Sequence, residues 1–266
     1  MYKQITSPQN SFIKELVQLK EKSRIRKNTQ TFLIEGLREI NLAIQGGYII
    51  QTILADASII YEDDFNNLTK SISSEVEIIE ISHEVYKKLA LRETTEGVIA
   101  IAQNKNLELK NIQFKNKNPL ILVAEAPEKP GNIGALLRTA DAAGIDGVII
   151  ANPKTDMYNP NIIRSSVGCV FTTTLATGST SEVISFLKEH NIQIYGAALT
   201  ASVEYQTINY TEPSAIVVGT EATGLSEEWL SNTTKNIIIP MRGAIDSMNV
   251  SVSAAIILFE AVRQRN

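Results

Sequence analysis

The 266-residue sequence predicts an α/β protein with a parallel sheet in its C-terminal half and a smaller α/β unit before it. Three observations carry this expectation. From Pro119 onward, short apolar runs alternate with helical patterns. Those runs are near-continuous Val, Ile and Leu, the composition of strands covered on both faces of a parallel sheet. A polar, Lys- and Asn-rich stretch from Asn104 to Asn118 sets them apart from an earlier alternating segment of about a hundred residues, enough for a small domain. The expected division is therefore residues 1–103, a linker at 104–118, and a second domain at 119–266.

In the first unit, Phe12, Leu16 and Leu19 recur at helical spacing across Ser11 to Lys22. Ser23 to Gln30 is polar and reads as a loop. Thr31 to Gly36 reads as a strand, followed by a helix through Leu37, Ile40 and Ile44 that stops at Gly46-Gly47. Ile49 to Ala55, Val76 to Ile81 and Gly97 to Ala102 read as further strands, with helices at Asn66 to Ser71 and His83 to Leu91. In the second unit the strands are Leu120 to Ala124, Gly147 to Ile150, Phe171 to Leu175, Ile192 to Gly196, Ala215 to Gly219 and Asn236 to Ile239. Helices fall at Ile133 to Ala143, Pro160 to Gly168, Ser181 to His190 and Val250 to Arg265.

The composition excludes several kinds of chemistry. Cys169 is the single cysteine, no C-x-x-C spacing exists, and His83 and His190 lie far apart, so no metal site and no cysteine nucleophile are expected. No apolar run reaches signal-peptide or membrane-spanning length, which points to the cytoplasm and to no membrane partner. A net charge of -4 argues against a generic polyanion binder. The distribution of charge says more. Lys3, Lys14, Lys20, Lys22, Arg24, Arg26 and Lys27 face only Glu15 and Glu21 at the N-terminus, the footprint of a nucleic-acid-facing surface or of a solvated helix face.

Chemistry is expected in three strand-to-helix loops, because ligands in parallel sheets bind at the carboxyl ends of the strands. The first, Pro127 to Arg138, opens a helix whose buried stripe is Ile133, Leu136, Leu137 and Ala140. Asn132 suits its N-cap, and Arg138 falls off the stripe, where it suits an anion. The second, Val218 to Ser226, has glycines for close backbone approach but neither the dinucleotide nor the P-loop spacing. The third, Ile238 to Ala255, holds Arg242, Asp246, Ser247 and Asn249 between an apolar strand and a helix. Together they supply amides, hydroxyls, Arg138 and Glu221, but no histidine and no cysteine. That set fits transfer of an already activated group better than a nucleophilic triad.

These three loops resemble the signature motifs of SpoU-type RNA ribose methyltransferases of the SPOUT class, in the same order. The matching stretches are Asn132 to Gly144, Gly219 to Ser226, and Ile239 through Gly243 to Ser251. Phe32-Leu33-Ile34-Glu35-Gly36 and Thr95 to Ala100 resemble the ribosomal-protein-like substrate-binding domain of many members, with Thr95-Glu96 where a Pro-Gln pair is usual. The resemblance implies S-adenosylmethionine-dependent methylation of a ribose 2'-hydroxyl, most often in large-subunit ribosomal RNA. It also implies a deep trefoil knot and a homodimer formed through the C-terminal domain. Carried over by motif, the catalytic set is Asn132, Arg138, Glu221, Ser247 and Asn249, and the cofactor set is Leu199, Thr200, Gly219, Ile239, Met241 and Met248. Lys22, Arg24, Arg26 and Lys27 become the candidate RNA anchors. A transfer RNA substrate and a non-catalytic RNA-binding or ribosome-assembly role are the alternatives.

Overall fold

A computed structural model describes residues 3–92, 96–200, 202–220 and 222–266. In chain order its elements begin with β1 (Lys3–Ile5), α1 (Ser11–Glu21), α2 (Ser23–Thr29), β2 (Thr31–Glu35), α3 (Leu37–Gln45), β3 (Ile50–Ala55), α4 (Glu62–Ser71), β4 (Glu77–Ile81), α5 (His83–Leu89) and β5 (Val98–Gln103). They continue with β6 (Leu120–Glu125), α6 (Pro130–Ala143), β7 (Gly147–Ala151), α7 (Pro160–Ser165), α8 (Cys169–Thr172), β8 (Leu175–Gly178), α9 (Thr180–Glu189) and β9 (Gln193–Ala197). The last are β10 (Ser202–Glu204), β11 (Ser214–Val218), α10 (Glu227–Leu230), β12 (Lys235–Ile238) and α11 (Val250–Arg265). Two compact units result, Met1–Lys105 with Asp156–Thr172, and Asn106–Thr155 with Thr173–Asn266.

The first unit is built on a mixed sheet in the order β1-β4-β3-β5-β2. β1 and β3 run parallel to β4, while β5 runs antiparallel to both β3 and β2. α1 forms because Asn10 caps it, accepting from the Phe12 amide at 2.9 Å, and because Ile13, Leu16 and Leu19 bury one stripe.

Three expectations are corrected here. Ser23 to Gln30 is not a loop, because Arg26 holds it as α2. The Arg26 side chain is buried, donates to the Leu19 and Lys20 carbonyls at 2.8 Å, and grips Asp156 through Nε at 3.0 Å and Nη2 at 2.8 Å. Arg26 is therefore a structural residue and is withdrawn from the RNA-anchoring set. Phe171 to Thr174 is not the start of a strand, since β8 begins only at Leu175. Phe171 is instead buried in an aromatic cluster, with ring centroids 5.8 Å from Phe32 and 5.1 Å from Tyr48, and Tyr158 stacks on Phe32 at 4.4 Å. This burial gives the Asp156–Thr172 segment to the first unit, so a boundary drawn only at 104–118 misses it. The third correction concerns that stretch, where Leu109, Ile112 and Phe114 pack against the core of the second unit rather than forming a free linker.

Replacing Arg26 with alanine leaves the Asp156 carboxylate, 11% exposed, without its ion-pair partner. The expected cost is about 3–5 kcal/mol of stability, read as a lower urea midpoint with an unchanged m-value.

The second unit is a parallel sheet in the order β10-β12-β9-β11-β6-β7-β8. Its central strands are apolar on both faces because both are covered, and every residue of β6, β7 and β11 is buried. α6 starts at Pro130 and ends at Gly144, whose φ of +62° is the left-handed conformation of a helix stop. α11 packs against α6. Because all these strands are parallel, their carboxyl ends gather on one edge, and the three loops meet there. No helix among the described residues is long and apolar enough to cross a membrane.

Candidate cofactor cavity and catalytic loops

A cavity of about 630 Å³ opens at that edge. Leu199 and Thr200 reach it from the end of β9, Gly219 from β11, Ile239 and Met241 from β12, and Met248 from the approach to α11. All of the expected cofactor residues thus line one space. Ser247 and Asn249 of the expected catalytic set line it as well.

Local geometry explains the loops. Gly219 and Gly224 cross backbone against backbone, and a Cβ on Gly219 would lie 2.1 Å from the Gly224 carbonyl carbon. Thr220 and Gly224 exchange both backbone hydrogen bonds, at 3.0 and 3.1 Å, and Gly224 takes a φ of +69° that suits glycine. The result is a small closed loop forming one cavity wall.

Asn249 does two jobs. Its Oδ1 caps α11 by accepting from the Ser251 amide at 2.9 Å, and its Nδ2 donates to Asn132 Oδ1 at 3.3 Å. The N-cap reading of Asn249 holds, and the bond to Asn132 ties the first loop to the third. Ser247 is exposed and donates to Asp246 Oδ1 at 3.2 Å.

Arg138 lies two turns beyond Asn132 on α6, is exposed, and is not among the cavity-lining residues. No hydrogen bond or ion pair joins it to another described residue, so its guanidinium is available to a ligand. Glu221 and Thr95 lie outside the described residues. Lys22, Arg24 and Lys27 are exposed on the first unit.

Among the cavity-lining residues that are described, Asp246 is the single charged one, and no lysine or arginine is present. Such a wall suits an uncharged or cationic ligand and repels a polyphosphate. Sequence reasoning passed over Glu125, a buried carboxylate at the end of β6 that accepts from the Ser226 amide at 2.8 Å. The signal was an acidic residue closing the otherwise apolar strand Leu120-Ile121-Leu122-Val123-Ala124.

Residues 119–259 match the SpoU rRNA Methylase family. The chain belongs to that family. As a SpoU methylase it also carries, over residues 10–100, a match to the MRM3-like substrate binding domain. It is similar to the 23S rRNA (guanosine(2553)-2'-O)-methyltransferase RlmP of Bacillus subtilis (strain 168), 29% identical over 257 residues, which cover 97% of this chain and 98% of that protein. A solved RNA 2'-O ribose methyltransferase is 40% identical, with a TM-score of 0.84 over 98% of this chain and 99% of that one. The SpoU methyltransferase AviRb from Streptomyces viridochromogenes, solved in complex with the cofactor AdoMet, has a TM-score of 0.89 at 28% identity, over 97% and 98% of the two chains. The family expected from the three loops is the one found.

Proposed function

We propose that this SpoU methylase transfers the methyl group of S-adenosylmethionine to a ribose 2'-hydroxyl of large-subunit ribosomal RNA. The observation that carries the reading is the convergence of the second and third motif loops on one cavity, to which the first is tied by the hydrogen bond from Asn249 to Asn132. The cavity volume of about 630 Å³ is in the range of small-molecule sites, and its lack of cations accommodates a positive sulfonium. The ribosomal substrate rests on the relatives, among them the 23S rRNA methyltransferase RlmP.

When bound, S-adenosylmethionine supplies an activated methyl group. Leu199, Thr200, Gly219, Ile239, Met241 and Met248 hold it. Arg138 binds the phosphate beside the target ribose. A guanidinium stays protonated in proteins, so Arg138 acts by electrostatics, lowering the pKa of the 2'-hydroxyl while water or a phosphate oxygen takes the proton. Asn132, Glu221, Ser247 and Asn249 shape the loops that orient the hydroxyl toward the methyl group.

The same reading assigns the finer architecture. The second unit carries a deep trefoil knot, a reading supported by β12, which lies between β9 and β10 although those two precede it in the chain. The first unit is a ribosomal-protein-like RNA-binding domain, and the enzyme works in the cytoplasm on ribosomal RNA. The second unit also forms a homodimer. Supporting this, α11 leaves Val252 at 47% and Phe259 at 49% exposure on one stripe, one heptad apart. Phe259→Glu is expected to convert a dimer into a monomer in analytical ultracentrifugation; a monomeric parent protein would exclude this surface.

Lys22, Arg24 and Lys27 anchor RNA through phosphates. Removing all three should weaken RNA binding and reduce the slope of log K against log salt by about two to three, as read in filter-binding titrations; an unchanged slope sinks the assignment. The substrate class is tested by incubating the protein with methyl-labelled S-adenosylmethionine and, separately, ribosomal and transfer RNA lacking the modification. Label entering the ribosomal RNA is expected. Label confined to transfer RNA would reassign the substrate.

A further inference from the structure

We propose that Glu125 is a positioning residue for the cofactor loop and sets the affinity for S-adenosylmethionine without touching it. The inference rests on the methyltransferase reading above and extends it to a residue outside the three motifs.

Glu125 closes β6 and is 6% exposed, an unusual place for a carboxylate in a sheet center otherwise built from Val, Ile and Leu. Its oxygens are committed. Oε2 accepts from the Ser226 amide at 2.8 Å, and Oε1 accepts from Thr180 Oγ1 at 3.4 Å. Thr180 is itself held by Asn152 at the end of β7, whose Nδ2 donates to Thr180 Oγ1 at 2.7 Å and whose Oδ1 accepts from the Thr180 amide at 3.3 Å. The ends of β6 and β7, the start of α9 and the exit of the loop after β11 are thus linked through one carboxylate.

The position of Ser226 gives this linkage a function. Gly219, Gly224 and Leu225 line the cavity, and Ser226 follows directly. At its entry the wall is fixed by β11, which is fully buried. At its exit Ser226 heads the short helix α10, and its amide would otherwise be an unsatisfied donor. A charge-assisted bond from that amide is stronger than a neutral one, and losing it unties the exposed exit of the loop from the buried end of β6. Glu125 therefore pins the far end of a wall whose near end the sheet already holds. Without it the loop keeps its internal Thr220–Gly224 bonds but swings as a unit, and the cofactor loses a wall that is in place before binding.

The same hydrogen bond can be removed from either side. Glu125→Ala deletes the acceptor. Ser226→Pro deletes the donor, and the φ of -67° at Ser226 is already that of proline. Glu125→Gln keeps an acceptor for Ser226 and a polar group toward Thr180. Binding of S-adenosylmethionine to the full-length protein is measured by calorimetry, alongside thermal melts and methyl-transfer kinetics. Glu125→Ala and Ser226→Pro are each expected to raise Kd about ten- to a hundredfold, with the loss in KM for the cofactor and kcat at saturation within about threefold of the parent. Glu125→Gln should stay within about threefold in Kd, and the double variant should be no worse than the poorer single one, because both changes break one bond.

Variants that melt cooperatively and bind the cofactor as tightly as the parent would overturn the proposal, and so would a glutamine variant as weak as the alanine one. Should Glu125→Ala fail to fold, Ser226→Pro decides the matter, since parent-like binding by that variant rules the strut out. A parent protein that does not bind S-adenosylmethionine would instead bring down the methyltransferase reading, an outcome visible before any variant is compared.

Discussion

Arg138→Ala is expected to lower kcat for methyl transfer about 10²–10³-fold, the loss seen when one preorganised electrostatic donor is removed from a reacting center, while Kd for S-adenosylmethionine stays within about twofold. Arg138 is exposed on α6, has no hydrogen-bond or ion-pair partner among the described residues, and is not part of the cavity wall, so its removal withdraws charge from the RNA side of the site only. Because it sits off the buried stripe of α6, alanine costs little stability there. Arg138→Lys separates charge from geometry. A planar guanidinium holds two phosphate oxygens at once, which an ammonium does not, so lysine should recover only a small part of the rate. A lysine variant with most of the parent turnover would show that bidentate positioning is the wrong explanation, and a normal rate for Arg138→Ala would remove this residue from the mechanism.

Gly219→Ala should abolish measurable cofactor binding, raising Kd by at least about a hundredfold, because displacing a site by about an ångström costs that much in well-positioned chemistry. The added Cβ would sit 2.1 Å from the Gly224 carbonyl carbon and 2.3 Å from its oxygen, and both neighbours are backbone that cannot rotate away. The closed loop from Thr220 to Gly224 must then open or shift, and with it the wall that faces the cofactor. Overpacking of this kind costs about 1–3 kcal/mol, so the melting temperature should fall modestly while binding collapses. Gly131→Ala is the control, since nothing lies within 4 Å of a Cβ built there. Calorimetry on the two variants settles it: equal binding by both would mean that the Gly219–Gly224 crossing does not shape the site.

The catalytic half was legible in the sequence because its elements are set by local composition. β6, β7 and β11 are Val/Ile/Leu runs buried on both faces, α6 stops at Gly144 as expected although it starts at Pro130 with Lys129 as its cap rather than at Ile133 behind Asn132, and Asn249 precedes α11 as an N-cap should. A parallel sheet then fixes which loops meet, so the residues that the motifs mark for the cofactor line one cavity. What local patterns could not show was set by distant partners. Ser23 to Thr29 looks like a loop until Arg26 finds Asp156, 130 positions away. Phe171 and the threonines after it have strand composition, yet the ring is claimed by Phe32, Tyr48 and Tyr158. Leu109, Ile112 and Phe114 are too sparse among lysines and asparagines to register as core, although each finds an apolar partner surface. Glu125 escaped notice because nothing in its own neighborhood tells that its bond will be to Ser226, 101 positions later.

The central claim, that the methyl group goes to a ribose hydroxyl, is tested most directly by chemistry on the product. Ribosomal RNA labelled by the protein with methyl-tritiated S-adenosylmethionine is hydrolysed in alkali, which cleaves next to every free 2'-hydroxyl and spares a methylated one. Tritium is expected in alkali-resistant dinucleotides, and none after the same reaction with Arg138→Ala. Tritium recovered instead in mononucleotides, as a methylated base would give, would contradict it.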